Sequence, residues 1–117
     1  MATGTKRKQK PCSAMENMVF EKQAQICKAF ASPVRLQILD VISKGECAVG
    51  DLHNSLDISK ANLSQHLAIL KSAGVLATRR DGKQIICSLA IPEVKQACAL
   101  IRKVLQAQIE ETRKILM

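Results

Sequence analysis

The sequence predicts a single, mainly α-helical domain that carries one small β-hairpin. Three observations support this fold class. The chain has 117 residues, of which 47% are apolar and 24% are charged, as in one ordinary globular domain. Apolar residues recur at helical spacing through most of the chain. After Gly74 the period changes, and Asp81-Gly82 between two alternating segments is a strong hairpin signal.

Five helices are predicted around this hairpin. Helix one covers residues 15–30, and Ser32-Pro33 supplies an N-cap and a first-turn proline for an apolar helix two that ends at Gly45. Helix three covers residues 50–56, and about three residues join it to helix four, as in helix-turn-helix units. Helix four is capped by Ser59 and runs to about residue 72. Helix five begins near Pro92 and carries a long apolar stripe. Four helices, two strands and a last helix are the order of a winged helix-turn-helix domain.

Charge is unevenly distributed along the chain. There are 18 Lys and Arg against 10 Asp and Glu, which gives a net charge of +8. Residues 1–14 contain Lys6, Arg7, Lys8 and Lys10 and no acidic residue, so we expect a basic flexible tail before a domain at residues 15–117. The overall excess favours a polyanionic partner. The tail itself is either an arm that follows DNA or a solubilising end.

Composition also excludes several classes of protein. The five cysteines form no C-x-x-C pair, so we expect reduced thiols, no metal site and no cofactor. The basic start is not followed by an apolar segment, so we expect a cytoplasmic protein without membrane association. Only Phe20 and Phe30 are aromatic, which disfavours stacking on unpaired bases but is compatible with binding to a duplex.

The outward face of helix four has the composition of a major-groove reading surface. If Leu63, Leu67 and Leu70 are buried, the opposite face is small and hydrogen-bonding; it consists of Ala61, Ser64, Gln65, Ala68 and Ser72, flanked by Lys60 and Lys71. Short residues permit close approach, Gln can pair with an adenine edge, and Ser and Lys suit phosphates. No acidic residue occurs from 59 to 80. An ordinary solvated helix face is the alternative.

Other candidate residues lie at the hairpin and on the helices. Arg79, Arg80 and Lys83 crowd the hairpin tip, where they suit a DNA backbone or a minor groove, although a solvated turn would look similar. His66 is expected to form a hydrogen bond to the backbone, and contact with a phosphate is the alternative. His53 is expected to be a polar surface residue, because neither histidine has partners at metal-ligand spacing.

Several segments resemble the ArsR/SmtB-type bacterial repressors over roughly residues 20–105. They read ASPVRLQIL at 31–39, VGDL at 49–52, LSQHLAILKSAGV at 63–75 and DGK at 81–83. The resemblance implies a homodimer joined through the first and last helices. It also implies binding to an inverted-repeat operator and release by an inducer. It further implies that the DNA contacts of helix four are Lys60, Asn62, Ser64, Gln65 and His66, with the wing residues holding the flanks.

The chain departs from that family at the inducer sites. Metal-sensing members place two thiols in E-L-C-V-C-D-L, whereas this chain has Ala48 and Gly50 at the ligand positions. Residues 92–117 contain no histidine for a zinc site between the last helices. Cys12 in the arm and Cys47 beside the ligand position are a possible thiol sensor for a thiophilic ion or an oxidant. The alternative is that all five cysteines are structural or incidental.

Two functions remain in competition at the level of sequence. The first is a homodimeric, sequence-specific DNA-binding transcriptional repressor that an unidentified inducer releases. The alternative is a winged-helix module that binds protein partners through its two apolar terminal helices. An enzyme is disfavoured, because no paired-carboxylate, Ser/His/Asp or Cys/His constellation and no glycine-rich phosphate loop is recognisable.

Overall fold

A computed structural model of the chain describes residues 13–117. The predicted basic tail, apart from its last two residues, and Cys12 therefore lie outside the described residues. The elements are α1 (Ala14–Ala29), α2 (Pro33–Ser43), β1 (Cys47–Ala48), α3 (Val49–Asn54), α4 (Lys60–Ser72), β2 (Leu76–Asp81), β3 (Gln84–Leu89) and α5 (Glu93–Leu116). This order confirms the mainly helical fold with a hairpin.

The structure adds a third strand that the sequence pattern does not predict. β1 is two residues long and pairs antiparallel with β3, so the sheet order is β1-β3-β2. Two residues are too few to show the alternation by which a strand is recognised. The pairing places the segment that leads directly into α3 against the middle of the hairpin.

Serine side chains cap three of the helices. Ser13 accepts a hydrogen bond from the backbone N–H of the third residue of α1, Ser32 does the same for α2, and Ser59 for α4. Each cap satisfies one N–H that has no partner within its helix. The caps predicted at Ser32 and Ser59 are thereby confirmed. α1 begins at Ala14, one residue before the predicted start.

The core lies where α2, α3, α4 and the sheet meet. Its largest fully buried side chains are Ile38, Leu39, Leu52, Leu63, Leu70 and Cys87. The central position predicted for α2 is confirmed, since Ile38, Leu39 and Ile42 are all buried. The inward face predicted for β3 holds at Cys87 and Leu89, which join the core, but Ile85 is 43% exposed because it lies near the hairpin tip, beyond the helices.

The two terminal helices are poorly covered by the rest of the chain. α1 buries only Ala29 and α5 buries only Val94. The radius of gyration is 18.8 Å, whereas a compact domain of this length has about 13 Å. The large apolar side chains left exposed on the two helices include Met18, Val19, Phe20, Leu100, Ile101, Val104, Leu105 and Ile109.

Substitution of Leu70 by alanine tests the core. Leu70 is 0% exposed, and we expect Leu70→Ala to lower the free energy of unfolding by about 2–5 kcal/mol, because a cavity replaces buried contacts. The neighbouring Ile69 is 44% exposed and provides the matched control; Ile69→Ala is expected to cost about 1 kcal/mol or less. Urea unfolding of both variants measures the difference. Equal losses would contradict the described packing of α4.

Candidate nucleic-acid interface

The orientation of α4 is set by its leucines. Leu63 and Leu70 are buried and Leu67 is packed against the core, as predicted. The opposite side of the helix is exposed; it presents Ala61, Ser64, Gln65, Ala68 and Ser72, and the first-turn residues Lys60 and Asn62 are exposed beside it. Ser59 starts the helix, with its Oγ accepting from the N–H of Asn62 at 3.1 Å. The structure therefore brings four of the five predicted helix contacts to solvent on one element.

His53 fixes the turn that leads into α4. Its Nε2 lies 2.9 Å from the carbonyl oxygen of Ile58, the residue before the Ser59 cap. Because a carbonyl only accepts, Nε2 carries the proton and donates it. His53 thus joins α3 to the start of α4 across the turn. Sequence reasoning missed this role, since nothing in the pattern signals a side-chain bond to a backbone oxygen five residues later.

Arg35 at the start of α2 joins three helices. Its Nε donates to the carbonyl oxygen of Ala29 at 2.9 Å, and its Nη2 donates to that of Lys28 at 3.1 Å, both at the end of α1. Its Nη1 lies 3.2 Å from Nδ1 of His66 on α4. A guanidinium has no acceptor atom, so Nδ1 accepts and the proton of the ring sits on Nε2. The partner of His66 is therefore a side chain rather than the expected backbone.

The wing is attached to the last turn of α4. Lys71 donates from Nζ to Oγ1 of Thr78 on β2 at 2.9 Å. Lys71, which flanks the predicted reading face, is thereby engaged within the chain. The bond holds the C-terminal end of the helix against the hairpin, so the helix and the wing form one continuous surface.

The hairpin turn lies one residue later than predicted. Asp81 pairs with Gln84, so the two loop residues are Gly82 and Lys83. Gly82 has a φ of +64°, a conformation that glycine adopts without strain and that two-residue hairpin loops require at their first position. Lys83 is thus exposed at the very tip of the wing.

The three wing cations differ in their surroundings. Arg79 forms ion pairs with Glu46, which precedes β1, and with Asp81, at 3.9 Å in the second case. Across residues 13–117 neither Arg80 nor Lys83 forms an ion pair. Register places Arg80 on the same face of β2 as Thr78, which contacts α4. Arg80 and Lys83 are therefore the wing charges most available to an external anion.

The cysteines of the described chain are all free thiols. Cys27 is exposed, Cys47 and Cys98 are half-buried, and Cys87 is buried. Burial raises the pKa of Cys47, Cys87 and Cys98 above the usual value for a thiol, with the Asp51 carboxylate adding to the rise at Cys47. Within residues 13–117 no three His, Cys, Asp or Glu side chains converge in a way that could hold a metal ion. None of the described helices has the length and apolar character needed to cross a bilayer.

The fold and this surface define a winged helix-turn-helix domain, and comparison with known proteins gives its family. A model of the family described as "Bacterial regulatory protein, arsR family" matches residues 32–78. The HTH-type transcriptional regulator Rv0081 of Mycobacterium tuberculosis is 35% identical over 99 residues, which cover 84% of this chain and 87% of the relative. The biofilm growth-associated repressor of Agrobacterium fabrum is 42% identical over 80 residues, 68% of each chain.

Solved structures agree with the sequence comparison. The crystal structure of Rv0081 has a TM-score of 0.75 and covers 80% of this chain and 95% of its own. The solution structure of Mb0332 from Mycobacterium bovis, described as a homodimeric winged helix-turn-helix DNA-binding domain, has a TM-score of 0.80 at 29% identity. It covers 88% of this chain and 95% of its own. The chain belongs to the arsR family of bacterial regulatory proteins.

Removal of the Arg35 guanidinium tests its role in joining the helices. Arg35→Met retains much of the side-chain volume but removes three donors, and we expect a loss of about 1–3 kcal/mol in the free energy of unfolding. Lys44→Met is the control, because Lys44 makes only an exposed pair with Asp40, worth about 1 kcal/mol at most. Urea unfolding measures both variants. An Arg35→Met variant as stable as Lys44→Met would show that these bonds contribute nothing.

Proposed function

We propose that this protein is a homodimeric, sequence-specific transcriptional repressor that binds double-stranded DNA. The observation that carries the proposal is the exposed face of α4, which is small, hydrogen-bonding and free of carboxylates, beside a wing with two cations that form no ion pair within residues 13–117. A helix of this kind fits a major groove with its wing on the adjacent backbone. The proposal assigns no catalytic residue and places the protein in the cytoplasm.

Five residues of α4 have proposed roles in binding DNA. Gln65 reads a base edge, since its amide can donate and accept together, and Ser64 allows the helix to approach the bases closely. Lys60 and Asn62 in the first turn contact phosphates. His66 donates from Nε2 to a phosphate, which its bond to Arg35 supports by placing the ring proton on that nitrogen. All five remain proposals for this chain.

The wing residues contribute sequence-independent affinity. Arg80 and Lys83 neutralise phosphates beside the groove, because no carboxylate of the described chain pairs with them. Arg79 is also proposed to contact DNA, but it contributes less to the affinity. Its guanidinium is already paired with Glu46 and Asp81, and a phosphate would have to compete with both carboxylates.

The apolar faces of α1 and α5 are proposed to bind a second copy of the chain. Extended exposed apolar patches mark interfaces, and a closed two-fold dimer buries the same patch on both copies. The described homodimeric state of Mb0332 supports this choice. A two-fold dimer presents two α4 helices to DNA, so the operator is an inverted repeat with half-sites about 34 Å apart.

Repression with release by an inducer is the proposed mode of regulation. A relative from Agrobacterium fabrum is named a repressor, although one from Vibrio cholerae, HlyU, is named an activator. Occupying an operator blocks transcription by exclusion and needs no contact beyond those on α4 and the wing. The inducer is unidentified, and a thiol-reactive inducer that acts on Cys12 and Cys47 remains a prediction.

Selection of duplexes from a random library, followed by affinity measurement at several salt concentrations, tests the DNA proposal. Gln65→Ala is expected to relax the preference at one base pair, at a cost of about 1–3 kcal/mol there. Arg80→Ala is expected to weaken all duplexes alike and to reduce the salt dependence by about one phosphate contact per protomer. Lys44→Ala, on the end of α2, is the control and should change neither.

Two outcomes would contradict this assignment. If Gln65→Ala selects the same sequences with the same affinity, α4 does not read the bases as proposed. If the wild-type protein selects no sequence and binds no duplex at physiological salt, the DNA proposal fails. That result would favour a module that binds protein partners through α1 and α5.

A charge on the α5 stripe tests the dimer. Leu105 is 49% exposed on the apolar stripe, and Lys103 lies about 200° away around the helix. We expect Leu105→Glu to be monomeric at micromolar concentration, because a buried unpaired carboxylate opposes association. Lys103→Glu makes a larger change of charge on the outer face and should remain dimeric. Light scattering after size exclusion measures the mass, and a dimeric Leu105→Glu would remove α5 from the interface.

A further inference from the structure

Two cysteines lie opposite each other in the sheet, at the middle of the wing. Cys47 in β1 and Cys87 in β3 are direct partners in the antiparallel ladder. Residues in this position project from the same face of the sheet. Direct partners have Cα atoms about 4.5–5.5 Å apart, and a disulfide spans Cα separations of about 4.4–6.8 Å. The backbone register therefore already brings the two thiols within the range of a disulfide.

The two thiols differ in access. β1 is an edge strand, and Cys47 is half-buried with its thiol donating to the carbonyl oxygen of Ala48 at 3.4 Å. Cys87 is 0% exposed in the middle strand. A reagent from solution therefore reaches Cys47 first. Cys87 can react only with a sulfur that Cys47 already holds, which is the arrangement of an attacking and a resolving thiol.

We propose that Cys47 and Cys87 are a redox-active pair that a low-molecular-weight disulfide converts to an intramolecular disulfide. The Cys47 thiolate attacks one sulfur of the reagent, which forms a mixed disulfide and releases the first reagent thiol. The Cys87 thiolate then attacks the Cys47 sulfur and releases the second. Two protein thiols are oxidised, two reagent thiols are formed, and both protons lost by the cysteines end on them.

The same row of the sheet connects the pair to the DNA-reading surface. Cys87 is also the direct partner of Thr78 on β2, and Thr78 accepts the hydrogen bond from Lys71 on α4. On the other side, β1 continues directly into α3 at Val49. Forming a disulfide draws the two Cβ atoms to about 3.8 Å, closer than the 4.5–5.5 Å of an ordinary cross-strand pair. The middle of the wing must therefore shift relative to α3 and α4.

This regulatory consequence rests on the proposed DNA-binding function. α4 and the wing must contact one duplex together, so a shift at the middle of the wing removes contacts at its tip. We expect oxidation to weaken binding to selected duplexes about tenfold, the value of roughly one lost contact. Dithiothreitol should restore the affinity of the reduced protein.

Burial and the charges around the pair set the pKa of its thiols and, through it, the rate of oxidation. Burial raises the pKa of both thiols; Asp51 on α3 adds to the rise at Cys47, and Cys47 adds to it at Cys87, which Lys71 on α4 partly offsets. A raised pKa leaves little thiolate at neutral pH, and the thiolate is the reactive form. We therefore expect the disulfide to form slowly near pH 7 and faster as the pH rises toward 9.

Peptide mapping of the full-length protein treated with oxidised glutathione tests the pair without DNA. We expect one linked peptide pair joining Cys47 to Cys87, at a mass lower by two hydrogens. Cys87→Ala should stop at a glutathione adduct on Cys47, and Cys47→Ser should stay reduced at Cys87. Cys12→Ser, Cys27→Ser and Cys98→Ser are the controls and should still form the link. Circular dichroism confirms that each variant is folded.

The outcomes separate this proposal from the proposed function. A link from Cys47 to Cys12, or no link in the folded protein, overturns the pair whatever the DNA result. A Cys47–Cys87 link with unchanged affinity for selected duplexes overturns its control of binding. Absence of duplex binding by the reduced protein, with the link formed, contradicts the DNA function and leaves the redox pair established.

Discussion

The position of α1 relative to the rest of the domain depends on the three hydrogen bonds of Arg35. α1 buries only Ala29 in its own domain, so apolar packing holds it at one end. At that end, Arg35 donates to the carbonyl oxygens of Lys28 and Ala29, and its positive charge interacts favourably with the negative end of the helix dipole. The same guanidinium reaches His66 on α4. One side chain thus sets the position of α1, a helix of the proposed dimer interface, relative to the proposed reading helix.

Polar side chains on and around α4 fall into two groups, according to whether their hydrogen-bond donors are engaged within the chain. His53 and Lys71 donate hydrogen bonds that hold the two ends of α4, His53 at the turn and Lys71 at the wing. Ser64 and Gln65 on the middle of the helix are exposed. A reading surface needs this division, because contact residues on a helix that is already held at both ends lose less conformational freedom on binding than residues on a mobile segment.

The sequence predicted what depends on periodicity and missed what depends on contacts between distant residues. Leu63 and Leu70 gave the orientation of α4 correctly, because apolar spacing alone determines which side of a helix is buried. Arg35 and His66 are 31 positions apart, and nothing local reveals their bond. The pairing of Cys47 with Cys87 depends on β1, a strand too short to show a period, so the sequence pattern does not bring these two thiols together.

The wing is attached to the helices on both of its sides, and this limits how it can move. Through β2 it is bonded to α4 by Lys71, and through β3 it is paired with β1, which leads into α3. A hairpin held at one side would swing without affecting its neighbour. Held at both, it transmits a change in the β1–β3 spacing to its tip, since bonded strands move together. The position of Cys47 and Cys87 in that pairing therefore gives a small chemical change at the middle of the wing a route to the proposed DNA-binding surface.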